Sequence, residues 1–304
     1  IGDALGVLTE FAKTRDEASA LVDGLPDGVL SFTGWPGKDG RPGPCVPEGD
    51  WTDDTDQQVM LVQSLLAGGG QTNTADFAAR MRLWERSGFP DPPFNDTQCM
   101  GIGFTTALVI SHPLFASQDV DHAGLAALHW WLHPVTGSAR DGSANGSTMR
   151  TAILGALLKP RAATLAYSRT THASPHADAA VVAVTEAIRS LVHDDGATPT
   201  TAHANAVAEA SCQLLESVKS LPSRVEHLLA TLSKDLPAGL EDPNGIFTPA
   251  MRTKTVDELA DVWKQRGAEI HASAAEAAER LRTKFQGTSL AALNLTTKSI
   301  GDCE

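Results

Sequence analysis

The sequence lacks most features that assign a chain quickly. Its four cysteines, Cys45, Cys99, Cys212 and Cys303, form no CxxC pair, which excludes a zinc ribbon or a dithiol redox motif. No run of 18 apolar residues occurs, so no membrane span is expected. Positive charge is scarce: 24 lysines and arginines face 37 aspartates and glutamates, a net of −13. Such a chain does not hold nucleic acid or an anionic membrane by bulk electrostatics, although a metal or a local positive pocket can still bind phosphate. Alternating apolar runs are missing, no Asn-Gly pair lies between such runs, and only GVLSF (28–32) reads as a short strand. GxSxG, HExxH, GxxxxGK[ST] and GxGxxG are all absent. Nucleophilic serine or cysteine catalysis therefore has no support.

What is present is helical periodicity. DQQVMLVQSLLAG (56–68) places Val59, Met60, Val62, Leu65 and Leu66 on one face and runs into Gly68–Gly70. The same reasoning predicts helices over 74–88, 123–133, 147–159, 176–193, 202–221, 223–234, 256–267 and 272–285. Glycine and proline gather in the connections 33–50, 88–98, 134–146 and 235–250. The first of these has five Gly and four Pro in eighteen residues. A single all-α domain over 1–304 is expected, with functional residues on its long loops; residues 195–290 are helical but match no known pattern. Unpaired thiols and the lack of a leader lead us to expect a cytoplasmic protein. Asn-x-Ser/Thr triplets at Asn95, Asn145 and Asn294 would matter only in a secreted one. Both ends, IGDALG and IGDCE, read as cut inside structure.

Four stretches carry chemistry. GDWTDDTDQQVM (49–60) sets Asp53, Asp54 and Asp56 among threonines directly before a helix. Asp and Thr are preferred at helix starts, yet one acid suffices for that, and consecutive carboxylates repel. Carboxylates with a threonine hydroxyl suit a hard cation. An EF-hand fails, because Val59 stands where glycine is needed if Asp54 is position 1. Cap and cation site both remain open. GDALGVLTEF (2–11) is either a helix packed closely through Ala4 and Gly6 or a tight turn leading to Glu10. GSARDGSANGSTMRTAILG (137–155) is a small-residue loop entering an apolar helix. It reads equally as a phosphate cradle or as a flexible loop with Asn145 or Ser147 capping the helix. Among the histidines, His129 and His133 share a face of a packed helix but lack the glutamate of a zincin. His172 lies in SRTTHASPHADAA, before a helix capped near Ser174.

In this order, GDALGVLTEF, WTDDTDQ, NGSTMRTAILG and SRTTHASPHADAA resemble the ADP-ribosylglycohydrolase family, which includes the dinitrogenase-reductase-activating glycohydrolases. The resemblance spans residues 1–190. It implies an all-α orthogonal helical bundle with a two-metal centre, Mg2+ or Mn2+, in a cleft. It also implies hydrolysis of the glycosidic bond between ADP-ribose and a protein side chain or small acceptor. Thr52, Asp53 and Asp54 are similar to the family's metal ligands. Glu10 resembles its glutamate beside the metal or ribose, and Glu10, Asp53 and Asp54 are then the candidates for activating water. The loop Gly142–Ser147 resembles the segment around the ADP-ribose diphosphate and ribose, which implies substrate contacts from Gly142, Ser143, Asn145, Gly146 and Ser147. Arg150 belongs to the same pattern. His172 is similar to the family histidine near the ribose or adenosine. The family's second acidic motif, GGDxDT, is not intact. Either SIGDCE (299–304) is its counterpart, with Asp302 and Glu304 as ligands, or the motif lies past Glu304. The expected partner is ADP-ribose or an ADP-ribosylated protein, with no nucleic acid and no membrane. The alternative is a catalytically impaired relative that keeps the fold and binds ADP-ribose. Neither the linkage cleaved nor the oligomeric state is legible.

Overall fold

The computed structural model describes residues 3–4, 14–25, 48–89, 99, 101–116, 121–132, 144–235 and 256–285. The strand expected at 28–32 lies outside them, as do Glu10, His133, Gly142, Ser143, Asp302 and Glu304. Among the described residues the chain forms α1 (Arg15–Asp23), α2 (Asp53–Ala67), α3 (Thr74–Ser87), α4 (Phe104–Ile110), a 3-10 turn (Pro113–Ala116), α5 (His122–Leu132), α6 (Thr148–Ala156), α7 (Arg161–Arg169), α8 (Pro175–His193), α9 (Pro199–Asp235) and α10 (Val256–Phe285). No strand occurs among these residues, and no helix there is long and apolar enough to cross a membrane. The all-α expectation holds.

Local chemistry sets most helix starts. Asn73 caps α3 by accepting the Asp76 N–H at 3.0 Å. Ser174 caps α8 by accepting the Ala177 N–H at 3.0 Å, with Pro175 as the first helical residue. α6 ends at Ala156, three residues before its expected limit. Pro160 disfavours helical geometry at Lys159, and Leu158 turns left-handed at φ 52°. Two expected pairs of helices are each continuous. α9 runs through Pro222 because Leu221, Val225 and Leu228 hold both sides of the proline in the main core. α10 runs through Gly267, which lies against the Trp263 ring, while Ala274 and Ala278 pack beside Ala210, Leu214 and Val218 of α9.

The main core joins Met60, Leu61 and Leu65 of α2, Phe77, Met81 and Trp84 of α3, the aliphatic residues of α4, α5, Leu154 and Tyr167. Burying each large side chain contributes roughly 1.5–3 kcal/mol. His129 belongs to this interior: its Nδ1 lies 2.7 Å from Nε2 of His112, and burial holds His129 down to about 4. It is a packed pair and not a metal-binding helix face. α6 lies across α8 and α2, so the loop before α6 and the carboxylates before α2 end on the same side.

The α6–α8 crossing depends on Gly155, where an added β-carbon would overlap the Thr185 carbonyl oxygen. Alanine favours a helix by about 1 kcal/mol over glycine, but overpacking costs roughly 1–3 kcal/mol. Gly155→Ala is therefore expected to lower the unfolding free energy by up to about 2 kcal/mol in urea titrations. Raised stability would contradict this packing.

Candidate functional site

The N-terminus of α2 leaves backbone N–H groups in need of acceptors. Thr52 stands at the cap position but makes no capping hydrogen bond. Asp3 does the work from 49 positions away: its Oδ2 accepts the Thr52 N–H at 3.0 Å. The same oxygen accepts the Thr55 N–H at 3.1 Å and the Thr55 hydroxyl at 2.7 Å, and Oδ1 accepts the Thr52 hydroxyl at 2.9 Å. The Thr52 proton is thus committed to Asp3, and its oxygen lone pairs remain available to an electrophile.

The three acids of the WTDDTD stretch then part ways. Asp56 is 4% exposed and accepts the Trp51 indole N–H at 2.9 Å and the Trp84 indole N–H at 2.7 Å. It is a structural staple between α2 and α3. Asp53 accepts from Gln57 Nε2 at 3.2 Å and from the Gly103 backbone. Gly101 approaches it closely, at φ 85°, where a β-carbon would stand 3.3 Å from Oδ1. Burial, and then the charges of Asp54 and Asp3, push Asp53 up to about 6. Burial and Asp3 also raise Asp54. No lysine, arginine or histidine of the described residues pairs directly with the carboxylates of Asp3, Asp53 or Asp54. Repelling carboxylates with a free-lone-pair hydroxyl form an all-oxygen donor set suited to a hard divalent cation. Among the described residues no cluster of three His, Cys, Asp or Glu completes a metal shell.

Behind Asp53 lies a buried guanidinium. Arg150 of α6 is 0% exposed. Its Nη1 donates to Gln57 Oε1 at 2.8 Å. Its Nη2 reaches the Tyr167 and Ser168 carbonyls at 3.1 and 3.2 Å and Thr171 Oγ1 at 2.6 Å. The cation sits 5.4 Å from the centre of the Phe77 ring. Burial lowers it to about 9, with Asp53 opposing. Gln57 therefore relays between Arg150 and Asp53.

On the other side, Thr171 Oγ1 lies 2.7 Å from His172 Nδ1. His172 is 2% exposed, and burial with the nearby Arg150 charge holds it down to about 3. Its turn is clamped by Arg169, which grips the fully buried Asp178 with Nε at 3.1 Å and Nη2 at 2.7 Å, and by Arg224 bonding the Ala173 carbonyl. Gly146 faces the ring: a β-carbon there would stand 3.1 Å from Nε2. β-Carbons on Gly103 and Gly146 would each stand 3.9 Å from Thr106 Oγ1, so the Asp53 side and the His172 side adjoin the same threonine.

Of the described residues expected at the site, Thr52, Asp53, Asp54, Gly146 and His172 converge here, and Asn145 is exposed beside them. Ser147 turns inward: fully buried, it accepts the Ser168 hydroxyl at 2.8 Å. It does not cap α6: the Thr148 N–H is taken by the Asn145 carbonyl at 2.8 Å, and the start of the helix has no side-chain acceptor, a setting that favours an anion. Asp3 and Gln57 were not expected at the site. Gln57 had a signal, since it lies four residues after Asp53 and so on the same helical face. Asp3 lies in the GDALG stretch, but no local pattern ties it to the start of α2, 49 positions later. A separate cavity of about 270 Å3, lined by Thr74, Leu125, Arg169 and Arg224 among others, shares none of these site residues.

The ADP-ribosylglycohydrolase family model matches residues 1–299. No curated protein and no solved structure matches the chain.

The division of labour among the acids is open to test in urea without divalent cations. Asp56→Asn turns an amide donor toward one of the two indole N–H groups, of Trp51 or of the buried Trp84, and is expected to cost about 2–3 kcal/mol. Asp54→Asn relieves repulsion and is expected to leave stability equal to, or up to about 1 kcal/mol above, the parent. Comparable losses in both variants would make Asp54 structural as well.

Proposed function

The chain belongs to the ADP-ribosylglycohydrolase family, and from that premise we propose that it hydrolyses the bond joining ADP-ribose to a protein side chain or small acceptor in a divalent-metal-dependent reaction. The observation that carries this reading is that Asp3 caps α2, which frees the Asp53 and Asp54 carboxylates and the lone pairs of Thr52 Oγ1 from capping, beside Gly101 and Gly103. Those three residues would hold Mg2+ or Mn2+, with Glu10 as a further oxygen donor from outside the described residues. Bound metal would supply a polarised water and fixed ribose hydroxyls.

The chain's own residues do the rest. One of Asp53, Asp54 or Glu10 accepts the proton of the attacking water. The surrounding carboxylates offset the positive charge that grows on the anomeric carbon as the acceptor leaves. The Asn145–Gly146 turn and the uncapped start of α6 receive the diphosphate, which a chain of net charge −13 does not attract by its overall field. His172 bounds the nucleotide side. Gly101, Gly103 and Gly146 let backbone approach where a side chain would fill the space.

Full-length protein incubated with Mg2+ and an ADP-ribosylated protein should release ADP-ribose. Asp53→Ala combined with Asp54→Ala should lower that release by roughly a hundredfold or more. Calorimetry on the same samples reads ADP-ribose binding separately. Tight binding without turnover by folded, metal-supplied protein would overturn the hydrolytic reading in favour of an impaired relative.

A further inference from the structure

The arrangement around Arg150 constrains a proton that hydrolysis alone would leave unassigned. Thr171 Oγ1 has one proton and two lone pairs. One lone pair takes Arg150 Nη2 at 2.6 Å, and the only other partner of this oxygen among the described residues is His172 Nδ1 at 2.7 Å. A proton on Nδ1 would occupy the second lone pair and strand the hydroxyl proton in a buried position. With Nδ1 bare, the hydroxyl donates to it, and Thr171 Oγ1 and His172 Nδ1 are both satisfied. The ring proton then sits on Nε2, which has no hydrogen-bond partner among the described residues and faces Gly146.

We propose that Arg150 is a positioning residue: through Thr171 it fixes His172 as a neutral imidazole that donates from Nε2 past Gly146, while through Gln57 the same guanidinium orients Asp53. The role given to His172 rests on the ADP-ribose reading of this cleft. It follows that His172 is a hydrogen-bond donor to an oxygen of the nucleotide, a ribose hydroxyl, ring oxygen or phosphate, and is not a base in the reaction. Burial and the guanidinium charge, which hold His172 down to about 3, keep a second proton off the ring at neutral pH. The same geometry explains the glycine at 146. A β-carbon there would stand 3.3 Å from Cε1 and 3.1 Å from Nε2, filling the space into which the proton points.

Nitrogen-15 spectra of histidine-labelled, ligand-free full chain at pH 7 test this, with Thr171→Val and Thr171→Ser alongside. The parent and Thr171→Ser are expected to show His172 with bare Nδ1 and protonated Nε2. Thr171→Val, isosteric but without the hydroxyl, should shift the ring toward the other tautomer and weaken ADP-ribose binding roughly tenfold, with Thr171→Ser restoring it. A protonated Nδ1 in the parent, or ring signals unmoved in Thr171→Val, would overturn the proposal. The parent spectrum decides the tautomer even if Thr171→Val does not fold. It also needs no substrate, so a parent that shows the signature yet binds no ADP-ribose would count against the reading of the cleft and not against the role of Arg150 in the ring's tautomer.

Discussion

A guanidinium buried without a carboxylate in contact is the constraint on which the site depends. Removing a cation from water costs several kcal/mol unless its donors are met. Arg150 meets most of that requirement with the carbonyls of Tyr167 and Ser168, the Gln57 amide oxygen, the Thr171 hydroxyl and the face of Phe77, while its Nε is left without a hydrogen-bond partner among the described residues. The two carbonyls lie in the last turn of α7, where the helix dipole is negative, and the Ser168 carbonyl also accepts the His172 N–H at 3.1 Å. The elements that supply these partners are α2, α3, α7 and the turn before α8, while Arg150 itself belongs to α6. Loss of the cation would remove the donor to the Gln57 amide oxygen of α2 and to the Thr171 hydroxyl together.

That arrangement also explains how an acidic site stays assembled. Each acid has a distinct task. Asp3 satisfies the start of α2, Asp56 joins two indoles, and Asp178 anchors Arg169 beneath the His172 turn. Asp53 and Asp54 have no such structural duty, and their mutual repulsion is held in place by the others. On the proposed reading a divalent cation would relieve this electrostatic strain, so tighter cation binding and a less stable cation-free state would have the same origin.

Much of the fold was legible because helix starts and stops are local. Asn73, Ser174, Pro175 and Gly88 act within a few residues. α4 and α7 were not legible. FTTALVI is apolar on all sides and rich in β-branched residues, and RAATLAYSR is held by tertiary contacts as much as by periodicity. The continuity of α9 through Pro222 likewise depends on core partners that no window of sequence contains. At the site, Asp53, Asp54 and His172 stood out through the order of their motifs. Arg150 was visible in its pattern, but its burial was not, since arginine is ordinarily solvated. Ser147 was expected to face the ligand, and its inward turn depends on Ser168, 21 residues later.

The central claim is that one buried guanidinium unites the carboxylate side and the histidine side of the site. A double-mutant cycle on unfolding free energy with Gln57→Leu and Thr171→Val tests it most directly, because the two residues touch different nitrogens of Arg150. The account predicts non-additivity of about 0.5–3 kcal/mol, as expected of partners in one network. Effects that add to within about 0.5 kcal/mol would mark the two halves as independent and contradict it.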